Sequence, residues 1–211
     1  MFFAPEADPE IFSVTVHYVG GSQLDFLNSQ FITLTKAEAM VAQIVIRGFE
    51  KGDIDDVRSI FIEANRDIAP NDMADAFEDY IVISLQKEFD DIEGYYSDRN
   101  GGFFVAELSD RVIGMYGLET VRDGVAELRR MYLRLDSRGM GLGKKLFDHS
   151  IRTARSMGFT KLLLSTSELQ LPALNLYRSY GLRETKTETA EKQSNKTIGG
   201  GIIRYHFEAD L

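Results

Sequence analysis

A chain of 211 residues, 44% hydrophobic and 27% charged, is long and apolar enough for one α/β domain with an appendage, which excludes disorder over most of its length. Its net charge of -9 argues against a nucleic-acid partner, because phosphate binding needs clustered Lys and Arg, and inclines toward a neutral or cationic substrate. The absence of cysteine excludes a disulfide framework, a thiol nucleophile and a Cys-ligated metal.

In chain order, residues 11–19 alternate and meet Gly20-Gly21, which predicts a strand ending in a turn, and residues 31–34 form a second short run able to pair with it. Residues 1–41 therefore read as an N-terminal extension, either a β-hairpin packed on the main domain or on a second subunit, or a disordered tail. Residues 42–211 read as the functional domain. Residues 44–49 predict a strand, and Asp53 stands where it can cap a helix whose Ile54, Val57, Ile60 and Phe61 share one face. Pro70-Asn71 opens a second helix through Met73, Phe77 and Ile81. Residues 103–108, 112–118 and 125–133 predict an antiparallel meander, with Asp123-Gly124 as a strong hairpin signal. Leu142, Leu146, Phe147, Ile151, Ala154 and Met157 then recur at helical spacing, closed by Gly158. A strand over 161–165, a helix over 172–180 stopped by Gly181, and a final strand over 202–207 complete the chain.

The segment 133–145 carries the chemistry. It reads as a strand, a glycine turn and an amphipathic helix, which aims free backbone amides and a positive helix end at one point and so suits phosphate or pyrophosphate. Spacing separates the ligand classes. A P-loop needs Gly where Arg138 stands and Ser or Thr where Lys145 stands. A dinucleotide fingerprint fits Gly139 and Gly141 but meets Lys144 at its third glycine, and requires a parallel βαβ start. The remaining pattern, [QR]-x-x-G-x-[GA], fits Arg138, Gly141 and Gly143 and is that of an acetyl-CoA loop; the alternative is a glycine turn without a ligand. His17, His149 and His206 lie far apart without ligand spacing, so no metal is expected. No run reaches the ~18 apolar residues of a membrane helix, and the start lacks the basic region of a secretory signal. A cytoplasmic location is the expectation.

Residues 127–182 resemble the core of the GNAT N-acetyltransferases. The family's second signature, an Ala four residues before a Tyr and a Gly four after it, is met by Ala173, Tyr177 and Gly181. Gln170 replaces the usual Asn, and Leu135 the usual Pro. The resemblance implies an α/β (α+β) fold, a mixed and mostly antiparallel sheet of about six or seven strands flanked by about four helices. It further implies acetyl-CoA as co-substrate and an acetyl group moved to a primary amine by direct attack in a ternary complex. In that scheme the strand 125–133 splays from its neighbour, and main-chain groups of Met131, Tyr132 and Leu133 bind the pantetheine arm. An amide near Met131 faces the thioester oxygen. Arg138, Gly139, Met140, Gly141, Leu142 and Gly143 take the pyrophosphate, Lys144 and Lys145 add charge, and Gln170 contacts CoA. Tyr177 is the implied catalytic acid for the CoA thiolate, or else a packed core tyrosine. Glu127 is the implied catalytic base, directly or through water, or else an exposed hairpin carboxylate; Glu119 is the reserve.

Residues 165–170, Ser-Thr-Ser-Glu-Leu-Gln, resemble the cysteine-S-conjugate and aspartate N-acetyltransferase branch, which implies a small amino-acid-like acceptor. Members of that branch are membrane-anchored, whereas no anchor is read in this sequence. A non-catalytic CoA-binding regulatory module and a protein or peptide N-acetyltransferase are the competing readings. The acceptor walls, the first two helices and the loop over 187–201, carry no legible motif. A homodimer through the N-terminal strands is a further expectation.

Overall fold

Seven strands, in the spatial order 45–48, 102–108, 111–122, 125–133, 161–167, 202–210 and 183–190, form the main sheet of a computed structural model that describes residues 11–15, 31–35 and 43–211. The chain divides into two units, the second being Val45–Leu211. In the first unit, β1 (Ile11–Thr15) and β2 (Phe31–Thr35) pair antiparallel, with Ile11 opposite Thr35. The expected turn at Gly20-Gly21 lies outside the described residues.

The second unit begins with β3 (Val45–Gly48), then α1 (Ile54–Ile68), α2 (Ala74–Lys87) and the short α3 (Ile92–Ser97). The meander follows as β4 (Gly102–Leu108), β5 (Arg111–Arg122) and β6 (Val125–Leu133). Next come α4 (Leu142–Ser156), β7 (Lys161–Ser167), α5 (Leu171–Ser179), β8 (Arg183–Ala190) and β9 (Ile202–Asp210). Only β6 and β7 pair parallel; every other pair in the sheet is antiparallel.

Helices cover both faces of the sheet's centre, so β5 is buried on both sides, from Val112 to Glu119. On one face Val57, Ile60 and Phe61 of α1 and Tyr80 and Ile81 of α2 pack with Phe103, Val105 and Met115. On the other, Phe147 of α4 meets Tyr177 of α5, and Tyr177 meets Phe207 of β9. The strand period of two sorts the side chains between these faces. Gly117 belongs to the α1–α2 face, where a Cβ would stand 2.2 Å from the Tyr96 hydroxyl, so only glycine lets that phenol reach under the sheet.

Two local expectations are corrected. Asp53 does not cap α1 through its side chain; its carboxylate accepts from the Glu50 amide and pairs with Arg47 at 2.7 Å. The guanidinium offers a charge-assisted bond that a helix amide does not match. The loop expected over 187–201 is shorter, because Thr187 and its neighbours to Ala190 belong to β8. That strand lies at the sheet edge and is exposed at most positions, so it needs no apolar alternation.

Candidate active site

One extra residue in β6 organises the site. Tyr132 pairs with Met115 and Arg129 with Gly117, which leaves Arg130 and Met131 opposite Tyr116 alone. Arg130 takes a left-handed backbone, φ 53°, as a bulged residue does when the strand must bend. The consequence is visible in two consecutive side chains. In a regular strand Arg129 and Arg130 point to opposite faces; here both guanidinium groups reach Glu88.

Glu88 ends α2 and is 1% exposed. Its carboxylate accepts from Arg130 Nε and Nη2 at 3.0 and 2.7 Å, from Arg129 Nη2 at 3.0 Å and from the Tyr96 hydroxyl at 2.7 Å. Burial alone raises a carboxyl pKa, but the two arginines hold Glu88 below the ordinary value. Arg129 Nη1 also donates to Glu119 at 2.8 Å. Lys196, from the loop between β8 and β9, bridges Glu119 at 2.5 Å and Glu127 at 2.6 Å. Burial opposes the charge on Glu119, yet Arg129 and Lys196 bring its pKa down to about 2. Glu119 and Glu127 face each other across β5 and β6, so Lys196 removes a like-charge repulsion. This network was missed in the sequence, where the one visible signal is an arginine pair inside a central strand.

The second feature is a splay. β6 pairs with β7 from Val125–Lys161 to Leu128–Leu164 and no further, although β6 runs to Leu133 and β7 to Ser167. Past Leu128, β6 has no partner on that side among the described residues, and a cleft opens between the strands. A pocket of about 90 Å³ lies there, lined by Glu127, Tyr132, Gln170, Ser167, Lys196 and Arg204 among others. Gln170 accepts from Thr166 Oγ1 at 2.7 Å. Burial pushes the pKa of the Tyr132 hydroxyl up, against a smaller lowering influence of Asn65 and Gln170.

The glycine loop stands at the mouth of the cleft. A single helical turn, Leu135–Ser137, leads to Arg138 in extended backbone. Gly139 and Gly141 follow at φ 82° and 78°, conformations that L side chains rarely adopt. α4 then begins with no acidic residue in its first turn, leaving the positive end of the helix uncompensated. A Cβ on Gly143 would touch Leu133 at 4.0 Å, so the loop lies against the end of β6. Arg138 Nη1 pairs with Asp67 at 2.7 Å across a half-exposed surface.

Tyr177 is 5% exposed and sits between Phe147 and Phe207 on the α4–α5 face. Burial and then the nearby Tyr132 raise its pKa above the ordinary phenol value. Glu127 occupies the opposite face, so the splay is the passage between them. Of the residues singled out in the sequence, Glu127, Tyr132 and Gln170 meet in the pocket; Arg138 to Gly143 do not line it, and Gly143 lies against Leu133 at the end of β6. Tyr177 lies behind the pocket.

Residues 66–182 match the Acetyltransferase (GNAT) family, and the chain belongs to that family. The rat N-acetyltransferase 8B is 34% identical over 115 residues, 52% of each chain. The chain thus spans about half the length of the curated relatives it matches. Among solved structures, the Thermoplasma acidophilum PaiA N-acetyltransferase in complex with coenzyme A superposes with TM-score 0.63 at 18% identity, covering 80% of this chain and 99% of that one. The Salmonella typhimurium YncA acetyltransferase with acetyl-CoA gives 0.60 at 20% identity, covering 80% and 94%. Among the described residues, no helix is long and apolar enough to cross a membrane.

Proposed function

We propose that the chain transfers the acetyl group of acetyl-CoA to the primary amine of a small amino-acid-like molecule, by direct attack in a ternary complex. The observation that carries this reading is the cleft where β6 leaves β7, with a left-handed glycine loop at its mouth. The unpaired main chain of Met131, Tyr132 and Leu133 suits the pantetheine arm, and an amide near Met131 the thioester oxygen. The amides of Gly139, Met140, Gly141, Leu142 and Gly143, with Arg138, suit the pyrophosphate. Gln170 lines the cleft and takes the place of the family's CoA-contacting Asn.

In the reaction the amine nitrogen attacks the thioester carbon, an oxyanion forms, and the C–S bond breaks as the amide forms. Glu127 takes the amine proton, directly or through water; its Oε2 is held by Lys196, which fixes the carboxylate at the pocket wall. Tyr177 gives its proton to the departing thiolate. Its raised pKa keeps the phenol protonated through neutral pH, as an acid must be. The pocket is walled by polar side chains from several elements, Asn65, Glu127, Lys196 and Arg204 among them, which suits a small polar acceptor.

The test is thiol release from acetyl-CoA with a panel of amino acids, S-substituted cysteines, polyamines, aminoglycosides and short peptides. Turnover with amino acids or S-substituted cysteines is expected. Silence across the panel with acetyl-CoA bound would replace this reading by a CoA-binding regulatory module, and turnover with peptides alone by a peptide N-acetyltransferase. The proposal includes a homodimer through β1 and β2, since a two-stranded pair is marginal by itself in water. Light scattering after size exclusion tests it, and a strict monomer removes it.

A further inference from the structure

Strand register sorts the polar side chains around the pocket. Ser167 lies opposite Arg204, and Ser165 opposite His206, so all four share the face that carries Glu127. Glu188 of β8 lies opposite Arg204 on the same side. The charges here can be counted. Three carboxylates, Glu88, Glu119 and Glu127, are bonded by three cations, Arg129, Arg130 and Lys196. Arg99, 3.7 Å from Glu119, adds a further positive charge at the edge. Arg204 stands outside this balance.

Its Nη2 donates to the neutral Ser165 hydroxyl at 2.5 Å, and its Nη1 is 4.0 Å from Glu188. Glu188 is already bonded by Lys186 Nζ, and His206 Nε2 lies 2.8 Å from it. The Arg204 guanidinium thus lines the pocket with only a distant and shared counter-charge. A second observation is independent of charge. Ser167 also lines the pocket and is 8% exposed, and its Oγ is buried with no hydrogen-bond partner among the described residues. Native proteins rarely leave such a group unmade, and a missing ligand is one explanation.

We propose that Arg204, with the Ser167 hydroxyl beside it, binds the carboxylate of the amino-acid-like acceptor and so decides which amines enter. The inference rests on the acetyl-transfer reading and names the residues that recognise its acceptor. A guanidinium meets a carboxylate with two parallel bonds and a hydroxyl adds a third, and β7 and β9 are adjacent, so the clamp sits one strand, about 5 Å, from the cleft edge. The chain's net charge of -9 does not attract an anion from a distance; recognition is local.

Two measurements on the full chain separate this inference from the reaction itself. The first is calorimetry of the CoA-bound protein with N-acetyl-alanine, N-acetyl-glutamate, N-acetyl-phenylalanine and N-acetyl-S-benzylcysteine, each against its carboxamide. It needs no turnover. At least one acid is expected to bind about 10- to 100-fold tighter than its amide, with Arg204→Gln and Ser167→Ala each narrowing that ratio. Equal binding of acid and amide, no binding of either, or an unchanged ratio in both variants would overturn the clamp. The second is the acid-to-amide ratio of KM for the free amines, where Arg204→Gln should raise KM for the acid while CoA still binds. Should neither the acids nor the amides turn over while the acids still bind, the transfer reading fails and the carboxylate site stands.

Discussion

Glu119 illustrates how one residue ties pH to stability. Its pKa in the folded chain is about 2, against 4.5 in the absence of partners. The group is therefore more acidic when folded, and its contribution is complete above pH 4.5 and lost as pH falls toward 2. Urea midpoints should hold steady from pH 7 to 5 and drop below 4.5, and Glu119→Gln should make that acid limb shallower. Glu88 is a harsher case. Glu88→Ala leaves Arg129 and Arg130 buried without their shared carboxylate, at a cost of about 3–5 kcal/mol, or about 10 °C in a melt. At Tyr177 the proposed role is chemical. Tyr177→Phe keeps the packing against Phe147 and Phe207 and should lower kcat by about 10²-fold with acetyl-CoA affinity unchanged; an unaltered kcat would leave it a core tyrosine.

Among the elements, the loop into α4 lends itself to a clean test. A Cβ on Gly141 meets nothing within 4 Å, yet φ is 78°, so Gly141→Val strains the turn by about 1–2 kcal/mol without a clash. The variant should fold and lose acetyl-CoA binding, and calorimetry showing wild-type affinity would refute the loop's role. This loop was legible because its glycines are a local constraint written in adjacent letters. The meander was legible because β4, β5 and β6 bury their apolar residues and turn on Asp123-Gly124. β8 was not, since Glu184, Thr185 and Lys186 are exposed at an edge and carry no hydrophobic period. The bulge at Arg130 was not either: nothing in Arg-Arg-Met announces a left-handed residue, which Tyr80, Glu88 and Asn195 hold in place from across the fold. Lys196 reaches Glu119 and Glu127 across a separation that spacing arguments do not span.

For the whole molecule, the sheet is the frame that relates the two halves of the chemistry. α1 and α2 cover the face bearing Glu119, Glu127 and Arg204, and α4 and α5 the face bearing Tyr177. Acidic character overall, with a net charge of -9, coexists with a positive surplus around one pocket, so a global charge count misreads the local field. The expectation of a neutral or cationic substrate came from that count, and the proposed acceptor, a zwitterion with one amine and one carboxylate, is neutral overall.

The opening between β6 and β7 makes the sheet a wall with a window. Two reactants that meet at a window from opposite rooms need not pass one another, and each can leave by its own door. Product inhibition should then be partitioned: CoA competing with acetyl-CoA alone, and the acetylated amine competing with the amine alone. Initial-velocity lines should intersect rather than run parallel. A compulsory order of arrival would mean that one reactant builds the other's doorway.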